Sequence, residues 1–135
     1  MPTITATYLG DLRTQSRHEQ SGSTLLTDAP TDNQGKGEAF SPTDLVATAL
    51  ASCILTLMGI YANTHGLDIK GTTVSANKIM AENPRRIKAI EIVLNLPARD
   101  YPVKHKRGLE LAAHGCPVLR SLHPDMEKKL TFVWA

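Results

Sequence analysis

The strongest constraint on the fold is an uncharged stretch of twenty residues that directly follows a helix-start motif. Residues 45–64 contain no Asp, Glu, Lys or Arg. The four residues before them, Ser-Pro-Thr-Asp at 41–44, form an N-terminal capping box with Ser at the N-cap, Pro at the first helical position and Asp at N3. Gly66 supplies a stop signal. The sequence therefore predicts one helix to about His65, roughly 36 Å long.

A membrane span is the alternative for such a stretch, because about twenty apolar residues cross a bilayer. We reject it because strand patterns flank the stretch and because Thr48, Ser52 and Asn63 dilute it. A helix that is apolar on nearly all sides in a soluble chain is a buried central helix. A single small domain can hardly cover it on every side, so a partner subunit is expected. A spacing of four recurs along the stretch at Ala47, Ala51, Leu55 and Gly59. The small residues among these would let another helix approach closely.

Alternating and helical patterns on both sides of this helix predict the rest of the fold. The order is β-β-β-α-β-β-α-α-β, an α+β class, in a single domain over 1–135. The loop 28–40 is rich in Pro, Gly, Asp and Asn, and loops of that length are usually functional. The predicted strands are 3–9, 12–18, 23–28, 69–81, 86–97 and one through Leu130, Phe132 and Trp134; the later helices are 102–113 and 117–122.

Composition and charge exclude several function classes. The formal net charge of +2 is small and scattered, so nucleic acid is not an expected partner. Residues 1–4 lack the charged and apolar regions of a signal peptide, so we expect a cytoplasmic protein in which a permanent disulfide is unusual. No glycine-rich dinucleotide motif or phosphate-binding loop is present, and no His or Cys has a second ligand at metal spacing. We therefore expect neither cofactor nor metal.

The two cysteines lie in contrasting settings. Cys53 is in the middle of the long helix, and Cys116 stands at the break His-Gly-Cys-Pro before the short helix. As an N-cap residue, Cys116 is expected to be favoured as a thiolate by the helix dipole. Cys53 needs a cation from elsewhere, for which Arg13 and Arg17 are the available donors.

Three short runs carry a resemblance to a known family. SPTDL at 41–45 and ALASC at 49–53 together resemble the first cysteine motif of the OsmC/Ohr family, and CPV at 116–118 resembles its second. The order of predicted elements is similar from end to end. The resemblance implies two antiparallel sheets around long central helices, in an intertwined homodimer with its sites at the subunit interface.

The same resemblance implies a thiol-dependent peroxidase that acts in oxidative stress defence. Cys53 would attack the peroxide oxygen and become a sulfenic acid, and Cys116 would resolve it as a disulfide. The implied substrates are organic hydroperoxides, and the implied reductants are dithiols, including lipoyl groups. This chemistry suits an activated thiolate beside a resolving partner.

One position departs from the family pattern. Peroxidase members carry a Glu directly after the Pro of the first motif, where it holds the catalytic arginine, and this chain has Thr43 there. Asp44 is rotated by about 100° around the helix and is used by the cap. Glu38, in the preceding loop, could swing in and substitute. Both Arg13 and Arg17 are candidates for the arginine, and we favour Arg13.

Two other hypotheses remain open. The first is a non-enzymatic OsmC-like dimer that binds a small hydrophobic or electrophilic ligand, with the cysteines as sensors or pocket lining. The second is an inert dimer whose thiols are core residues, because free cysteine packs like a small apolar residue.

Overall fold

The computed structural model describes residues 1–135, which pack as two compact units, 1–46 and 47–135. All the predicted elements are present, in the predicted order, with one added 3-10 turn at Thr31–Asn33. The strands are β1 (Ile4–Gly10), β2 (Arg13–His18), β3 (Thr24–Asp28), β4 (Thr73–Ala81), β5 (Arg86–Leu96) and β6 (Glu127–Trp134); the helices are α1 (Pro42–Thr64), α2 (Val103–His114) and α3 (Pro117–Ser121).

The first unit is built on an antiparallel sheet in the order β1-β2-β3. The register sets Arg13 of β2 directly opposite Asp28 of β3. The long loop that follows β3 returns to the strand end, where the Asp28 amide donates to the carbonyl of Phe40 at 3.0 Å. The loop residues are therefore held close to the last pair of the sheet.

Helix α1 begins and ends as the sequence predicts. The Ser41 amide donates to the Asp44 carboxylate at 2.9 Å, and the Asp44 amide donates to the Ser41 hydroxyl at 3.1 Å, which completes the reciprocal capping box. At the other end Gly66 has φ 67°, and the amide of Leu67 donates to the carbonyl of Ala62 at 2.8 Å. This is a Schellman ending, which needs a left-handed residue.

By length and composition α1 could cross a membrane. The central helix of a soluble protein meets the same two criteria, and α1 contributes side chains to the core of this protein. Its buried residues are Ala47, Leu50, Ala51, Ile54, Met58 and Ala62.

The second sheet has the order β4-β5-β6 and is mixed. Strands β4 and β5 pair antiparallel, as predicted, but β6 pairs parallel to β5. The expectation of two antiparallel sheets therefore holds for the first sheet and for β4–β5, and it is wrong for β6. The reason is the connection: α2 and α3 carry the chain back to the start of β5, and such helical crossovers join parallel strands.

The core of the second unit is made by α1, β5 and α2. In β5, Ile90, Ile92 and Leu94 are fully buried, and Leu109 and Ala113 of α2 are also fully buried. Helix α1 contacts α2 through the Tyr61 side chain. A Cβ at Gly108 would overlap the hydroxyl end of that side chain, and the Tyr61 hydroxyl lies 3.0 Å from Nδ1 of His105.

Candidate redox site

The second unit brings the two cysteines together from different elements. Cys53 lies on α1 and is half-buried, and Cys116 is the N-cap residue of α3 and is fully buried. The two side chains lie close enough for Cys53 to raise the pKa of the Cys116 thiol, and both cysteines are free thiols. Two neighbouring thiols that are more than sixty residues apart in the chain are candidates for conversion to a disulfide.

The electrostatics of Cys116 differ from the expectation for a helix N-cap. Its sulfur accepts a hydrogen bond from the Leu119 amide at 3.4 Å, as a capping side chain does. Burial nevertheless raises the pKa of the Cys116 thiol, and the hydrogen bond with Cys53 raises the pKa further, against the lowering effect of the Leu119 and Val118 amides. The expectation that the N-cap position favours the Cys116 thiolate is therefore wrong, because desolvation outweighs the dipole of a five-residue helix.

Arg13 lies in the first unit and is held by carboxylates. It forms an ion pair with Oε1 of Glu38, and its Nη2 lies 3.6 Å from Oδ2 of Asp28. Glu38 therefore pairs with the arginine that we favour for catalysis. Asp28 was not predicted, because only the strand register reveals that it faces Arg13.

The remaining candidate residues have other partners. Arg17 lies 3.8 Å from Glu19 through its Nε, and its side chain is exposed. The Thr43 hydroxyl lies 3.2 Å from the Ser41 hydroxyl at the start of α1. Asp44 caps the helix, as expected from the sequence.

The sequence matches the family model described as OsmC-like protein over residues 35–130. The chain belongs to the OsmC-like protein family. The match spans the whole of α1 with Cys53, and it extends through α3 with Cys116. No curated protein sequence matches this OsmC-like chain.

Solved structures share the fold over nearly the whole chain. A protein from Psychrobacter arcticus, named for an osmotic stress induced and detoxification response, is 48% identical with a TM-score of 0.93, covering 98% of this chain and 96% of its own. An organic hydroperoxide resistance protein from Legionella pneumophila is 17% identical with a TM-score of 0.76, covering 98% of both chains. The organic hydroperoxide resistance protein OhrB of Bacillus subtilis is 17% identical with a TM-score of 0.69, covering 96% of this chain and 95% of its own.

Two further features of this OsmC-like protein bear on function. No group of three or more His, Cys, Asp or Glu side chains is placed to hold a metal ion. A shallow groove runs along α1 beside β4, and Cys53 is not among the residues that line it. Its lining is uncharged: Thr48, Ala51, Ser52, Leu55, Thr56 and Val74.

Proposed function

We propose that this OsmC-like protein is a thiol-dependent peroxidase that reduces organic hydroperoxides through Cys53 and Cys116, in cytoplasmic defence against oxidative stress. The observation that carries the proposal is the proximity of the two free thiols, which belong to separate elements of the second unit and interact strongly enough for Cys53 to raise the pKa of Cys116. Membership of a family that includes organic hydroperoxide resistance proteins supports the choice of substrate.

The first step oxidises Cys53. Its thiolate attacks the terminal oxygen of the hydroperoxide, a sulfur–oxygen bond forms, the oxygen–oxygen bond breaks, and the sulfur gives up two electrons. The alkoxide takes a proton and leaves as an alcohol, so Cys53 becomes a sulfenic acid. In the proposal Arg13 is the cation that stabilises both the thiolate and the departing alkoxide.

The second step forms the disulfide and the third removes it. The sulfur of Cys116 attacks the sulfenic sulfur of Cys53, and water carries away the hydroxyl group and the Cys116 proton. An external dithiol, of which a lipoyl group is one chemical form, then reduces the disulfide by two successive exchanges. Because burial raises the pKa of Cys116, that thiol stays protonated at neutral pH until the sulfenic acid is beside it.

In the proposal, the working form is a homodimer. Helix α1 leaves a stripe of exposed, uncharged residues along one side, and a second copy would cover that stripe without burying a charge. The stripe consists of Thr48, Ser52, Thr56 and Ile60.

The direct test is to mix the reduced protein with one equivalent of cumene hydroperoxide and to follow both thiols by mass spectrometry. The wild-type protein should lose both thiols and gain one disulfide. Cys116→Ser should stop at a sulfenic acid that dimedone traps at Cys53, and Cys53→Ser should not react. Survival of both wild-type thiols in a modest excess of hydroperoxide would show that the proposal is wrong.

The ligand-binding hypothesis has one observation in its favour, the uncharged groove along α1. That groove includes three residues of the exposed stripe that the dimer would cover, so we favour the peroxidase. A Cys53→Ser variant separates the two hypotheses, because it should abolish peroxide consumption and leave the binding of an apolar dye unchanged.

A further inference from the structure

Asp28 is a buried carboxylate that is only partly paired. Its side chain has no exposed surface. Oδ2 accepts a hydrogen bond from the Glu38 amide at 2.9 Å and faces Nη2 of Arg13 at 3.6 Å, whereas Oδ1 is buried without any hydrogen-bond partner. Burial of a carboxylate is costly unless a cation or hydrogen-bond donors compensate for it. The position of Arg13 therefore affects the stability of the buried Asp28 carboxylate, and Asp28 in turn affects where the guanidinium lies.

The strand register fixes this pair. Arg13 and Asp28 are direct partners across β2 and β3, and the neighbouring pair, Thr14 and Thr27, joins its two hydroxyls by a side-chain hydrogen bond. Directly opposed side chains of an antiparallel pair stand close enough to interact without any loop rearrangement. The guanidinium is therefore anchored to regular structure on the Asp28 side.

Glu38 is a different kind of partner. Its side chain is 60% exposed and belongs to the loop after β3, so its ion pair with Arg13 is the type that solvent screens. The loop itself depends on Asp28, because the carboxylate accepts the Glu38 amide hydrogen. One buried oxygen thus lies at ion-pair distance from the guanidinium and accepts a hydrogen bond from the segment that carries the second carboxylate.

We propose that Asp28 is the positioning residue for Arg13, in place of the carboxylate that this chain lacks at Thr43, and that Glu38 is an exchangeable second partner. When Glu38 leaves, the free oxygen of Asp28 offers the guanidinium a second acceptor. The pairing stands on the first unit alone, and its kinetic consequence rests on the proposed peroxidase function.

The pairing is tested by unfolding Arg13→Ala, Asp28→Asn and the double variant in urea. Asn keeps the shape of Asp28 and one acceptor oxygen for the Glu38 amide, while it removes the charge and replaces the other oxygen by an NH2 group. Both single variants should lower the unfolding midpoint, and the double variant should lose clearly less than the sum of the two. Arg17→Ala with Glu19→Gln is the control, because neither side chain of that pair is fully buried, and its losses should be close to additive. If Asp28→Asn does not fold but the double variant does, the two charges are coupled. Additive losses at 13 and 28 would overturn the inference.

The kinetic consequence is tested on the oxidation of Cys53 by cumene hydroperoxide. Asp28→Asn should slow it about tenfold, Glu38→Gln should change it less than about threefold, and Asp28→Asn should add nothing in the Arg13→Ala background. A merely structural role would still slow the reaction in that background. If wild-type Cys53 does not react at all while the unfolding cycle is non-additive, the peroxidase proposal fails and the pairing stands. Equal rates in wild type and Asp28→Asn would overturn the positioning role.

Discussion

At the scale of single residues, the two thiols show how local and tertiary effects compete. Cys116 has the sequence position and the backbone hydrogen bond of a capping residue. Both effects stabilise a thiolate, but full burial of the sulfur raises the pKa more than they lower it. In the proposed peroxidase, a resolving thiol that is protonated in the resting state would be protected from direct oxidation, because the thiolate is the reactive species.

The raised pKa of Cys116 gives a pH dependence of stability with a definite sign. Above about pH 8.5 the unfolded chain releases the Cys116 proton, whereas the folded protein retains it. The free energy of unfolding should therefore be unaffected by this group below that pH, and it should fall by up to about 1.4 kcal/mol per pH unit above it. Urea unfolding under reducing conditions between pH 7 and 9.5 measures the slope.

Two variants identify the source of that slope. Cys116→Ala should remove this group's share of the alkaline slope, although it also costs stability at every pH. Cys53→Ala should keep most of it, because burial is the largest cause of the raised pKa and the hydrogen bond with Cys53 comes second. An identical slope in the wild type and in Cys116→Ala would contradict the assignment.

The sequence indicates some of the candidate site residues and misses others for a physical reason. Local sequence patterns predict that Cys53 lies in a helix interior, that Cys116 lies at a helix start and that Glu38 lies in a polar loop. Asp28 is the last residue of a short strand, and its burial opposite Arg13 depends on which strand pairs with which and in what register. Such pairing is a property of the folded sheet, so no local pattern indicates it.

At the scale of elements, boundaries marked by backbone chemistry are the ones that the sequence predicts. The cap at 41–44, Gly66 and Pro117 each satisfy a terminal backbone group or restrict φ, so the helices begin and end close to the predicted residues. Strand direction has no comparable marker. The alternation of Leu130 and Phe132 indicates a strand, but only the crossover through α2 and α3 makes it parallel to β5.

The contact between Gly108 of α2 and Tyr61 of α1 predicts the effect of a single methyl group. Gly108→Ala would place a Cβ on the hydroxyl end of the Tyr61 side chain, so either that side chain must give up its contact with His105 or the two helices must move apart. The expected loss is about 1–3 kcal/mol, which outweighs the gain of up to about 1 kcal/mol in helix propensity. Chemical denaturation measures this loss directly. Because α1 carries Cys53 and α2 leads to Cys116, closure of the disulfide after oxidation should also become slower.

Gly59→Ala is the matched control for this prediction, since it adds the same methyl group to α1. A Cβ at Gly59 has no heavy atom within 4 Å in the single chain. Within one chain it should therefore cost nothing and gain slightly from helix propensity, so any loss that it shows would come from a second copy packed against α1. If Gly108→Ala were as stable as the wild type, the contact between the two helices would be looser than the structure describes.

At the scale of the whole molecule, the single chain exposes large apolar side chains in both units. The N-terminal sheet exposes Ile4 at 51% and Tyr8 at 64%, and Leu25 and Leu26 are also exposed. In the second unit, Ile60 of α1 is 56% exposed in a stripe without charge. Contiguous exposed apolar patches mark interaction sites, which is the physical argument for the proposed homodimer.

The position of Ile60 allows the proposed homodimer to be tested by charge. Ile60→Glu would bury an unpaired carboxylate if a second copy covers the stripe, and such a charge costs several kcal/mol. The dimer dissociation constant should rise by at least about a hundredfold, as measured by sedimentation or light scattering.

Leu111→Glu is the control, because Leu111 is a 74% exposed residue of α2 outside the stripe. If sites lie at the subunit interface, the monomeric variant should also lose hydroperoxide reduction while the control keeps it. A wild-type protein that is monomeric at micromolar concentration would contradict the dimer, and a dimer unchanged by Ile60→Glu would show that the second copy does not cover this stripe.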